Sequence, residues 1–244
     1  MCRKNGELPD HLSENLIMKR AHFYTCLLIF NFIPTVFAEP NFYEIEKSAK
    51  QGQPVSQYHL GMIYLSGEQG IIKNDEQALK WLTVADENGS VGAKYSLGMM
   101  YLFGVGVKKD AKRAFDYFSK AAVLGHAKAQ YNLGVLYNTG EGVNKNYNKA
   151  FEWFNRSAQQ GFPAAEFNLA VMYDKGKGVI QSSGEAFKWY SKAAEHNESD
   201  AQYNIGLMYL KGEGTEKNVQ LAKQWLQLAS NQGDLDAKEL LKTF

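Results

Sequence analysis

The chain repeats itself. AQYNLGVLYNTGEGV at residues 129–143 returns as AQYNIGLMYLKGEGT at 201–215, with Ala, Tyr, Asn, Gly and Tyr at unchanged spacing. AKYSLGMMYLFGVGV begins at 93, AEFNLAVMYDKGKGV at 165 and a looser SQYHLGMIYLSGEQGI at Ser56. The last four copies start 36 residues apart. The first is 37 long, its extra residue falling in the loop GEQGI, where an insertion disturbs no packed face. A half copy, FYEIEKSAKQGQPV, leads in from Phe42, and AKELLKTF from Ala237 opens a copy that never completes. Such an array leaves only architectures in which each unit stacks on the next.

Within a unit, Ala129, Leu133 and Tyr137 are four apart, which draws one apolar stripe down a helix. Ala150, Trp153, Phe154, Ser157 and Ala158 draw a second, with counterparts Ala114, Tyr117, Phe118, Ala121 and Ala122, and Ala186, Trp189, Tyr190, Ala193 and Ala194. Each unit is therefore two amphipathic helices. Asn74, Asp110, Asn146, Ser182 and Asn218 stand four residues before the second stripe, where a side-chain acceptor is needed for unpaired amides. Gly52, Gly89, Gly125, Gly161 and Gly233 close the second helices, with Asn197 in that place in the fourth unit.

Gly61, Gly98, Gly134 and Gly206 fall inside the first helix, where glycine costs about 1 kcal/mol against alanine. Their recurrence predicts close helix approach, and Ala170 at the equivalent place predicts that smallness is what matters. The motif GEGV reads as helix punctuation. A phosphate cradle needs its glycines to lead from a strand into a helix, with a following Lys-Ser or Lys-Thr, and only once.

The pattern A-x-Y-N-L-G-x-x-Y-x-x-G-x-G-V followed by A-F-x-W-x-x-K-A-A-x-x-G resembles the Sel-one-like repeat, a relative of the tetratricopeptide repeat, five times in phase over 56–236 (56–92, 93–128, 129–164, 165–200 and 201–236). The resemblance implies an all-α fold, a right-handed α-solenoid of antiparallel helix pairs, and a role as scaffold or adaptor for a protein or peptide partner. Residues 39–55 then form an N-terminal half repeat and 237–244 a partial C-terminal cap. An incomplete last unit leaves apolar surface, which predicts weak self-association through the C-terminal end. A monomer mass independent of concentration in sedimentation would remove that expectation.

Ahead of the repeats, Lys19 and Arg20 precede an apolar run from Phe23 to Ile33, then Pro34, Val36 and Ala38. This has the layout of a secretory signal peptide over 18–38, with Met18 as start, cleavage before Glu39, and 1–17 as an upstream extension. The predicted location is periplasmic or secreted; an uncleaved leader would instead anchor the chain in the inner membrane. Cys2 and Cys26 both fall in this leader, so the mature chain would hold no cysteine. About 200 residues of stacked repeats bury enough surface to need no disulfide. The residues before Cys26, Phe-Tyr-Thr, lack the small side chains that lipoprotein processing favours.

Composition is ordinary, with 45% hydrophobic and 22% charged residues and a formal net charge of +1. Neither charge nor pattern fits nucleic acid, because Trp81, Trp153, Trp189 and Trp225 recur at one core position instead of along a basic stripe. His59, His126 and His196 lie in separate repeats without the spacing of a zinc site. No cofactor and no catalysis are expected. The resemblance still admits one enzymatic activity, since some cysteine-rich members of that family are described as weak penicillin-binding or beta-lactamase proteins. This chain lacks their paired cysteines and the Ser-Asp-Asn and Lys-Thr-Gly motifs of penicillin-recognising enzymes. The resemblance is also compatible with a regulator of peptidoglycan enzymes or a secreted host-directed virulence factor.

If first helices line the inner face, as in tetratricopeptide relatives, Asn132, Asn168 and Asn204 turn away from the Ala-Leu-Tyr stripe. Either they form an amide ladder for a peptide backbone, or they bond neighbouring helices. Seven residues on come Ser66, Phe103, Thr139, Lys175 and Lys211, preceded by Leu65, Leu102, Asn138, Asp174 and Leu210. These positions vary while the core pattern holds, as in a tailored groove. The expected partner-binding residues are Asn132, Asn168, Asn204, Leu102, Phe103, Asn138, Asp174, Lys175 and Lys211. Leu102 and Phe103 either form an apolar contact patch or pack under the loop from Gly104 to Val107.

Overall fold

A computed structural model describes residues 41–244, and every regular element among them is a helix. The expected signal peptide over 18–38 and both cysteines lie outside the described residues. The helices fall into two compact units, one of residues 41–90 with Phe103–Lys108, the other of Val91–Leu102 with Lys109–Phe244. The first unit contains α1 (Phe42–Lys50), α2 (Pro54–Ser66) and α3 (Asp75–Glu87). The second contains almost all of α4 (Val91–Phe103), then α5 (Ala111–Val123), α6 (Ala127–Thr139), α7 (Tyr147–Ala158), α8 (Pro163–Lys175), α9 (Ser183–Glu195), α10 (Ser199–Lys211), α11 (Val219–Asn231) and α12 (Leu235–Leu241). From α6 to α11 each helix packs on the one before it and the one after it. This is the all-α solenoid architecture that the repeat requires.

The predicted stripes are the core. Ala129, Leu133, Tyr137, Ala150, Phe154, Ser157 and Ala158 are all buried. In the first unit, Ile45, Ala49, Leu60 and Ile63 pack together under Phe42, Tyr64, Ile71 and Trp81. At the second helices, Asn74, Asp110, Asn146, Ser182 and Asn218 each accept from the backbone N–H three residues on. Such a cap contributes about 1 kcal/mol. Gly89, Gly125, Gly161 and Gly233 follow those helices in left-handed backbone, and Asn197 does the same at φ 62°.

The glycines within the first helices serve close approach, as their recurrence predicts. A Cβ on Gly98 or Gly134 would lie 2.6 Å from the ring of Phe118 or Phe154, and one on Gly61 or Gly206 2.8 or 2.7 Å from Leu82 or Leu226. The loop motif does more than punctuate. Its first glycine, such as Gly140 at φ 82°, closes the first helix. Its second abuts the start of the preceding repeat's second helix, since a Cβ on Gly106 would lie 2.8 Å from the Asp75 carbonyl oxygen. Gly142, Gly178 and Gly214 stand equally tight against the backbone of Ala111, Tyr147 and Ser183. Gly70, in the loop that is one residue longer, has the same conformation and nothing within 4 Å.

Candidate protein-interaction surface

In the second unit the first helices α6, α8 and α10 end on Thr139, Lys175 and Lys211, all exposed and each followed by a left-handed glycine. Asp174 is half-buried and holds Lys175 Nζ at 2.9 Å, while Lys211 Nζ lies 3.6 Å from Glu213. The variable ends thus present mixed charge. Phe103, the corresponding residue of the other unit, is half-buried. Leu102 is only 3% exposed, so the exposed apolar pair, one of the two arrangements open from sequence, does not form: the 100° helical step that leaves Phe103 half-buried turns Leu102 into the core.

The asparagines are not one solvent-facing ladder. Asn168 is 2% exposed and donates from Nδ2 to the Ala164 carbonyl at 2.7 Å. Asn204 is half-buried and donates to the Asp200 carbonyl at 2.8 Å. Asn132 points its Nδ2 at Met99 Sδ on the preceding first helix, at 3.3 Å. Asn138 is 4% exposed. The Oδ1 atoms of Asn138 and Asn168 are buried without a hydrogen-bond partner. An unsatisfied buried acceptor costs about 1–3 kcal/mol.

Sequence reasoning missed a second buried polar set, at the residue after the repeat alanine. Gln57 Nε2 donates to the Ala49 carbonyl at 3.3 Å, and its Oε1 accepts from Asn88 Nδ2 at 2.9 Å. Gln130 does the same with Ala122 at 3.1 Å and Gln160 at 2.7 Å, and Gln202 with Ala194 at 3.3 Å and Gln232 at 2.8 Å. Each glutamine ties a first helix to the second helices on both sides of it. The signal that could have found them was the identical glutamine in three of the five copies. In the fourth copy this place holds Glu166, 3% exposed, its Oε2 3.8 Å from His196 Nε2. Burial pushes the Glu166 carboxyl up, against the pull of His196 and Lys192.

The tryptophans line the edge of the core. Trp189 is buried beneath Lys192 at 4.5 Å from its ring, and Arg156 lies 4.7 Å over the half-buried Trp153. Among the described residues no three His, Cys, Asp or Glu side chains are grouped so as to hold a metal ion, and no helix is long and apolar enough to cross a membrane.

The family model for the Sel1 repeat matches five times, at residues 54–90, 91–126, 127–162, 163–198 and 199–234. The chain belongs to the Sel1 repeat family. Sel1 repeat proteins are generally scaffolds for protein–protein interaction, and generally not catalysts. The repeat units of the family model begin on the first residues of α2, α4, α6, α8 and α10. A protective antigen present in uropathogenic Escherichia coli strains, displaying the same fold, is 33% identical with a TM-score of 0.80 over 83% of this chain. The chain spans only 43% of that antigen's length. A Sel1 repeat protein from Oxalobacter formigenes is 30% identical with a TM-score of 0.73, over 81% of this chain and 86% of its own. A third, from Klebsiella pneumoniae, is 20% identical with a TM-score of 0.52 over 84% of this chain and 99% of its own, which shows the fold alone. No curated protein matches the chain.

Proposed function

We propose that this Sel1 repeat chain is an exported scaffold whose first helices hold a protein or peptide partner. The observation that carries the reading is the run of exposed first-helix ends Thr139, Lys175 and Lys211, whose residues vary between copies while the buried stripe stays constant. The neighbouring ends Asp174, Lys175 and Lys211, with the half-buried Asn132 and Asn204, give that partner a polar, mixed-charge surface. Weak self-association belongs to the C-terminal end, where Leu235 is 72% exposed and Phe244 also meets solvent.

The test is chemical cross-linking with mass spectrometry on the protein in its own cell, comparing wild type with Lys175→Ala plus Lys211→Ala. Both side chains are exposed and make surface ion pairs, so thermal stability should stay within about 1 kcal/mol of wild type. The partner should disappear from the variant. A folded variant that keeps the partner refutes the proposed contact. A large loss of stability makes the two residues structural.

A further inference from the structure

The glutamine clasp is intact in three of the five copies, while the second holds Lys94 and the fourth Glu166 in its place, so the array supplies its own control. In the intact copies one alanine carbonyl takes two donors. Ala49, Ala122 and Ala194 accept from Gly52, Gly125 and Asn197 N–H, and also from Gln57, Gln130 and Gln202 Nε2. Ala158 is the fourth such residue, and its carbonyl accepts from Gly161 N–H at 2.9 Å. Its second donor would come from Glu166. The outer partner changes as well, from Asn88, Gln160 and Gln232 to His196.

A carboxylate cannot donate a hydrogen bond, whereas a carboxylic acid can. Ionised Glu166 leaves the Ala158 carbonyl without its second donor and brings a negative oxygen into a site built for an amide. Protonated Glu166 carries one O–H, the donor that glutamine supplies elsewhere. Its Oε2 is buried and unpartnered. His196 is half-exposed, at 49%, and so connects the clasp to solvent. We propose that Glu166 and His196 form a proton-operated clasp between the third and fourth repeats, closed when Glu166 carries its proton and slackened when the proton leaves.

The charged groups around the clasp are few. From α9 and its cap come His196, Lys192 and Glu195. From α7 comes the carbonyl end of the helix, with Arg156 of its last turn lying over Trp153. Desolvation outweighs the two cations and raises the carboxyl of Glu166 above its ordinary range. For an acid, a raised folded-state value means that the native chain holds the proton more tightly than the unfolded chain. Stability from this group is therefore complete at low pH and declines as pH climbs from the unfolded carboxylate value, about 4.3, through the folded one. His196 and Lys192 pull against the rise in the Glu166 carboxyl. The helix that the clasp anchors, α8, also carries Asn168, Asp174 and Lys175, so proton release reaches the candidate surface.

The test is thermal unfolding by circular dichroism from about pH 4 to about pH 8 on the full chain, for three proteins. Wild type is compared with Glu166→Gln, which restores the amide, and with Gln130→Glu plus Gln160→His, which builds a second clasp one repeat earlier. Comparison between variants is essential because His126 titrates with the opposite sign. The Tm of Glu166→Gln should match wild type at the acid end and rise increasingly above it as pH increases. The double variant should gain extra loss of Tm with rising pH, or refold only on acidification. Parallel profiles for wild type and Glu166→Gln would overturn the proposal. So would a double variant with the wild-type pH slope, or one unfolded at every pH.

Discussion

Gly70 and Gly142 hold the same backbone, at φ of 74° and 73°, yet only Gly142 has a neighbour. The left-handed conformation costs an alanine about 1–2 kcal/mol at either position. At Gly142 the new Cβ also meets the Ala111 backbone, which adds about 1–3 kcal/mol of overpacking. Gly142→Ala should therefore destabilise clearly more than Gly70→Ala in urea unfolding, and equal losses would mean that the loop glycine is punctuation alone. The caps at Asn74 and Asn146 were legible in the sequence because their partners are three residues away. The second loop glycine was only half legible: its left-handed turn is local, but Ala111 is contacted from the next repeat. The Gln130 to Gln160 bond joins side chains 30 residues apart, and no local pattern marks it. The same limit left open whether Leu102 and Phe103 form a contact patch or pack under the loop from Gly104 to Val107.

Among the elements, α6 has the least usual start. Its N-cap is His126, whose Nδ1 accepts from Ala129 N–H at 3.2 Å while the ring stacks on Tyr95 at 4.7 Å. The cap requires the neutral imidazole, and burial first, then Lys128, pushes the His126 imidazole down. For a base, a lowered folded-state value means that the unfolded chain binds the proton more tightly. The stability that His126 supplies is thus intact at neutral pH and lost as pH falls below the unfolded value of about 6.5. His126→Asn keeps a capping acceptor that does not titrate. Its Tm should fall less than that of wild type between about pH 7 and about pH 5, and an unchanged slope would remove His126 from the acid response.

At the scale of the molecule, a repeat array is stable through contacts between neighbours, so a weakened joint acts where it stands instead of unfolding the whole chain at once. The fold was readable from one chain because the same residue types recur five times in phase, and chance does not hold a helical stripe in register that long. The candidate surface was less readable. Varied positions such as Lys175 and Lys211 stand out against a constant core, but buried Asn138 and Asn168 vary or recur in the same columns, and sequence does not separate support from surface. The central claim is that partners meet the first helices. Site-specific photo-cross-linking tests it most directly, with the probe placed in turn at Thr139, Lys175 and Lys211 on first helices and at Lys120, Arg156 and Lys192 on second helices. One partner adduct is expected from the first three positions and none from the others. Adducts from the second-helix positions, with none from Thr139, Lys175 or Lys211, would contradict it.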